Sequence, residues 1–179
     1  MKRAKLFYSV IIIICLIVIS WSTYYTLGGF EPMEVFVMEG KERTIIGKEY
    51  REKFDYDLLK ARYHETKAAI DSGKLQGQVA IVYFNLDESE SDTVHYFVGA
   101  YKDEIKDVLR LPAGYSYKEF KTDKIFKVFL TQHWLVRPNR EEIAEMMEVK
   151  AIEEGVVLQP YSFDLYYEDG SQSTERWAR

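Results

Sequence analysis

The chain has 179 residues, of which 47% are hydrophobic, 15% aromatic and 30% charged, with a formal net charge of −5. That length suits one ordinary domain, and the composition argues against a disordered, collagenous or disulfide-built chain. Residues 1–30 hold three basic residues and no acidic one, so the other 149 carry 21 basic and 29 acidic groups; so acidic a body is a poor candidate for the basic face that nucleic acid requires, which demotes a nucleic-acid partner without excluding a local basic patch, and none is expected.

Lys2, Arg3 and Lys5 make residues 1–5 a basic start. No charge follows from Leu6 to Phe30, and Val10–Ile19 reads VIIIICLIVI. This predicts a transmembrane anchor over residues 6–27, since about 20 helical residues span about 30 Å of hydrocarbon. Trp21, Tyr24 and Tyr25 would form its aromatic belt, and the preceding basic residues keep the N-terminus in the cytoplasm. The expectation is a signal-anchored, single-pass membrane protein with its acidic body on the non-cytoplasmic side, periplasmic in a bacterium. A cleaved leader and a buried helix are the alternatives. Gly28, Gly29 and Pro32 mark a tether over residues 28–33. Cys15, the sole cysteine, falls in the apolar run, which leaves no thiol nucleophile and no Cys-based zinc site in the body.

Residues 34–179 read as one domain written twice. Thr44–Phe54 is β-prone but charged, as suits a long edge strand. Asp57 caps a helix in which Leu59, Tyr63, Thr66 and Ile70 recur at helical spacing until Gly73. Val79–Leu86 and Val94–Tyr101 are nearly continuous apolar strands around a polar loop at 87–92. A connector over 102–123 holds a short strand at Tyr115–Phe120. The order then returns: a strand at Ile125–Leu135, and a helix from the capping box of Asn139 and Glu142 to Gly155. Tyr161–Tyr167 and Gln172–Ala178 follow as strands joined by the hairpin signal Asp169-Gly170. The predicted fold class is α+β: duplicated strand–helix–strand–strand units forming one antiparallel sheet with two helices on one face, preceded by the single transmembrane helix. Strands apolar on both sides suggest a concave aromatic surface opposite the helices, which is either a ligand site or a core or dimer face.

The doubled unit, the run Pro160-Tyr161-Ser162-Phe163-Asp164-Leu165-Tyr166, and Gly114-Tyr115 with Lys118-Glu119-Phe120 resemble the GyrI-like, or bacterial effector-binding, family of SHS2-type domains. The resemblance covers roughly residues 34–179. It implies small-molecule binding, and the family also includes some small hydrolases. A membrane-anchored ER-phagy receptor family is similar in layout. The family's pocket acid is usually a glutamate on the penultimate strand, where this chain has the shorter Asp164; Tyr166 matches its tyrosine and shares the strand face.

An acid in an aromatic cup binds an organic cation by charge and by ring quadrupoles. Asp164 and Tyr166, with Trp134, Tyr96 and Tyr63, are the candidate ligand-binding residues. No cofactor or metal is expected: GxSxG and HExxH motifs and a phosphate-binding glycine loop do not occur, and His64, His95 and His133 are scattered. The resulting expectation is a membrane-tethered domain that binds a small cationic or amphipathic molecule. The alternatives are a protein-interaction module with a filled cleft and a small-molecule hydrolase, and no catalytic residue is assigned.

Overall fold

The computed structural model describes residues 2–84, 93–102, 111–133 and 135–179. In chain order the elements are α1 (Lys2–Thr26), β1 (Phe36–Glu39), β2 (Glu42–Lys53), α2 (Tyr56–Asp71), β3 (Gln78–Phe84), β4 (Thr93–Lys102), β5 (Ser116–Lys121), β6 (Lys124–Leu130), α3 (Arg140–Glu153), β7 (Leu158–Tyr166) and β8 (Gln172–Ala178). All eight strands join one antiparallel sheet in the order β1-β6-β8-β7-β3-β4-β2-β5. The units β2-α2-β3-β4 and β6-α3-β7-β8 meet at its centre, where β7 pairs with β3. The polar loop at 87–92 and much of the connector lie outside the described residues.

The two ends of that order are parts of the same two long strands. Only Gly40 and Lys41 separate β1 from β2, and only Thr122 and Asp123 separate β5 from β6. A single register runs from Phe36↔Lys127 to Gly47↔Ser116. Across the gap the Gly40 N–H donates to the Asp123 carbonyl at 2.8 Å, and the Thr122 N–H donates to the Lys41 carbonyl at 3.3 Å. The sheet therefore closes on itself, with one face inside and one outside. Gly40 is required for this: a Cβ there would meet the Thr122 carbonyl oxygen at 1.9 Å. The strand expected at an edge, β2, instead pairs with β4 on one side and β5 on the other.

Alternation along each strand sorts the residues between the two faces. Ile45, Ala80, Val82, Phe97, Phe120, Phe163 and Trp177 fill the inside. Phe120 of β5 packs against Trp177 of β8 with ring centroids 6.2 Å apart, although four strands intervene in the sheet order. The concave aromatic surface expected opposite the helices is thus largely an occupied core.

Both α2 and α3 pack on the outer face. Asp55, two residues before the expected cap, accepts hydrogen bonds from the Asp57 and Leu58 N–H groups and starts α2. Asn139 and Glu142 form the capping box of α3. Its buried stripe is Ile143, Met147 and Ala151, which pack on Phe126, Val128, Leu130 and Ala178. Val149 and Ile152, also apolar, lie off that stripe and are exposed. The strand expected to reach Leu135 ends at Leu130.

The N-terminal expectation is corrected. Helix α1 is a third helix, and among the described residues no helix is long and apolar enough to cross a membrane. The charge-free stretch is not apolar throughout: Tyr8 and Ser9 precede the apolar run, and SWSTYYT follows it. The unbroken run Val10–Ile19 rises only about 15 Å as a helix, half of a hydrocarbon core of about 30 Å. Trp21 and Tyr24, expected in a headgroup belt, pack on Phe30 with ring centroids 4.9 Å apart in each case. The transmembrane anchor over 6–27, the signal-anchor reading, the membrane partner and the single-pass, non-cytoplasmic placement fall with it.

Candidate functional site

The central strands β7 and β3 form the floor of the site. Their register sets Ile81 opposite Asp164, Tyr83 opposite Ser162 and Val79 opposite Tyr166. Alternation turns Ser162, Asp164 and Tyr166 outward, toward the side on which α2 and α3 pack.

Asp164 is buried, at 3% exposure. Its Oδ1 accepts from the Thr174 hydroxyl at 2.8 Å, and its Oδ2 accepts from Arg140 Nη2 at 2.6 Å. Arg140 is the first residue of α3. A helix N-terminus carries partial positive charge and disfavours a cation, so Asp164 must offset that cost. The guanidinium also lies over Tyr83, with its central carbon 3.8 Å from the ring centroid. The Arg140 side chain is nonetheless 47% exposed, so one face of it meets solvent.

A sheath of tyrosines surrounds this pair. Tyr63 of α2 meets Tyr166 edge-on at 4.9 Å, and Tyr83 lies 6.3 Å from Tyr96. Tyr96 stacks on Tyr50 at 5.3 Å and donates its hydroxyl to Glu52. Burial is the chief reason that the Tyr83 hydroxyl is pushed up to about 12. Burial also raises Tyr166, and the adjacent Asp164 charge adds to the rise. Burial lowers the Arg140 pKa, but the Asp164 charge and then Tyr83 outweigh it and hold the guanidinium above its ordinary value. Tyr83 and Tyr166 stay neutral and Arg140 stays charged at any ordinary pH.

Behind Arg140 a cavity of about 250 Å³ runs between α3 and the sheet, with Ile143, Ala144 and Met147 on one wall and Ser162, Thr174 and Arg176 on the other. Arg140 is the partition between this mainly apolar space and the Tyr83 ring.

Four of the five expected residues gather in one region. Asp164, Tyr166 and Tyr63 are immediate neighbours, and Tyr96 joins them through Tyr83; Trp134 lies outside the described residues. The sequence reading missed Tyr83 and Arg140. A basic residue at the start of a capped helix was the available signal, since that position calls for a nearby carboxylate.

The comparisons with known proteins agree on fold. No family model and no curated protein matches the sequence. EcmrR, solved by cryo-electron microscopy in a complex with DNA, is similar in structure with a TM-score of 0.57 at 11% identity, over 99% of this chain and 70% of that one. SAV2435, solved with tetraphenylphosphonium bound, is similar with a TM-score of 0.51 at 13% identity, over 81% of this chain and 92% of that one. At such identities the likeness is one of fold alone.

Proposed function

We propose that this chain binds a small, flat or aromatic organic cation between α2 and α3, with Asp164 as its counter-charge and Tyr83, Tyr166, Tyr63 and Tyr96 as its surroundings. The observation that carries this reading is that Asp164 already holds a planar cation against an aromatic ring, the Arg140 guanidinium over Tyr83. A ligand of the same charge and greater apolar area takes that place. Arg140, half in solvent on the first turn of its helix, swings outward and regains hydration there. The exchange leaves the buried carboxylate paired throughout, and the ligand gains roughly 25 cal/mol for each Å² of apolar surface it buries. The fold shared with a protein solved with tetraphenylphosphonium supports the ligand class.

One observation favours a second reading. Asp164 is already satisfied by Arg140 and Thr174, as it would be in an interaction module whose cleft is closed for good and whose surface recruits a protein. Calorimetry with tetraphenylphosphonium separates the two. Binding to the wild type that weakens by roughly 30-fold or more in Asp164→Asn fits an interfacial charge pair and supports the ligand site. Absence of binding to the wild type, or equal affinity for both proteins, favours the interaction module.

A further inference from the structure

The inner face of the sheet carries a second, separate cluster. A cavity of about 580 Å³ opens at one mouth of the closed sheet, on the face opposite the helices, and its walls include Met38, Arg43, Tyr101, Lys127, Tyr167 and Glu175. That volume falls within the range of small-molecule sites, and barrel mouths are among the places where such sites form.

The charges at its base do not balance. Arg43 is 2% exposed, Lys127 9% and Glu175 1%. The Glu175 carboxylate takes Arg43 Nη1 at 2.5 Å, Lys127 Nζ at 3.2 Å and the Trp177 indole N–H at 3.2 Å. Two buried cations therefore share one carboxylate, which Arg43 Nη2 also reaches at 3.5 Å, and the other hydrogen-bond partner of Lys127 Nζ, the Tyr167 hydroxyl at 2.7 Å, carries no charge. Burial alone would raise the Glu175 pKa, but the Arg43 charge, with Lys127 and Trp177, holds it below its ordinary value, so the carboxylate is already fully charged at neutral pH. Arg43 also keeps a buried Nε without a hydrogen-bond partner. Native proteins rarely leave such a donor unpaired, and an uncompensated buried charge is costlier still.

We propose that this mouth is a ligand site for a small monocarboxylate, whose single charge completes the Arg43–Glu175–Lys127 cluster. A planar carboxylate presents two oxygens to a guanidinium edge in the geometry that guanidinium favours, and one negative charge brings the buried sum to zero. A phosphate dianion would overshoot it. The Tyr101 ring, with its centroid 4.2 Å from the Arg43 guanidinium carbon, offers an aromatic wall for the ligand's body. Lys41 and Glu168 lie farther out along the lining and cancel in charge, so the attraction is concentrated at the base.

The test uses the full chain, with phenylacetate as the probe and phenylacetamide as its uncharged twin. Phenylacetate should bind at least about tenfold more tightly than the amide in calorimetry. It should also shift the Trp177 indole N–H resonance, because that group shares Glu175 with Arg43. Arg43→Met, which leaves Lys127 and Glu175 as a neutral pair, should reduce the preference for acid over amide to about onefold. Equal binding of acid and amide by the wild type, or an unmoved Trp177 resonance, overturns the proposal even if Arg43→Met fails to fold. An unchanged acid preference in a folded Arg43→Met overturns it as well.

Discussion

Arg140 Nη2 stands 2.6 Å from Asp164 Oδ2 while the same guanidinium covers the Tyr83 ring at 3.8 Å, so one side chain closes both the charged and the aromatic half of the groove. The pair joins the first turn of α3 to the central strand β7. Its contribution to stability is moderate, because Arg140 is half in solvent and regains water when released. Asp164→Asn should lower unfolding stability by about 1–3 kcal/mol, since Thr174 can still donate to the remaining carbonyl oxygen. Urea denaturation checks this. Wild-type stability in the variant would mean that the pair does not hold α3 in place.

The inner cluster makes the protein acid-sensitive. The folded state holds Glu175 below its ordinary value of 4.5, so its stabilisation is present above that value and is lost as pH falls through the lower folded value. Glu175→Gln should begin about 3 kcal/mol less stable at neutral pH, because Arg43 and Lys127 then face each other without a carboxylate. It should also lose less stability on acidification than the wild type does. Parallel stability–pH curves for the two proteins would contradict this.

The tyrosine sheath acts at the other end of the pH scale. Tyr83, Tyr96 and Tyr166 are all raised above 10.0, with burial as the main cause. Their neutral forms favour the folded state, so stability is complete below about 10 and is lost as pH rises, when the unfolded chain ionises first. An absorbance titration should show three tyrosines ionising only together with loss of the folded circular-dichroism signal. Ionisation of all tyrosines in a fully folded protein would rule out the buried sheath.

Closure of the sheet rests on one small residue. Gly40→Ala places a methyl group 1.9 Å from the Thr122 carbonyl oxygen and 2.3 Å from the Asp123 carbonyl carbon, both of them backbone atoms. Destabilisation of at least about 3 kcal/mol is expected, because two paired strands must separate. Gly73→Ala, where nothing lies within 4 Å of the added atom and only the positive φ resists, should cost about 1 kcal/mol. Equal thermal shifts for the two variants would argue against the close approach.

These relationships differ in how far the sequence discloses them. The capping box of α3 and the hairpin before β8 are local, and their residue types announce them. The end of β6 is not, because His133 is held by a backbone bond to Leu27 that no strand propensity encodes. Strand β1 escaped notice because Phe36–Glu39 is short and gains its pairing only as the forward extension of β2. Asp164 and Tyr166 came from the family resemblance, and alternation set them on one strand face. Arg140 was not, since its pairing with Asp164 depends on how α3 settles across β7. The inner cluster is harder still: Arg43 and Glu175 are 132 residues apart. Alternation alone does place Ser173, Glu175 and Trp177 on one face of β8, and a glutamate two residues from a core tryptophan is a hint that a buried cation waits opposite. The N-terminal reading went astray because it counted missing charges and not continuous apolar length.

The most direct test of the central claim compares tetraphenylphosphonium affinity between the wild type and Arg140→Ala. If Arg140 occupies the place of the cation, its removal leaves Asp164 without a charge partner and uncovers Tyr83, so the variant should lose thermal stability alone and regain it with the ligand. Its affinity should exceed that of the wild type by roughly tenfold or more, because the ligand no longer displaces a competitor. Equal or weaker binding by Arg140→Ala would contradict the account.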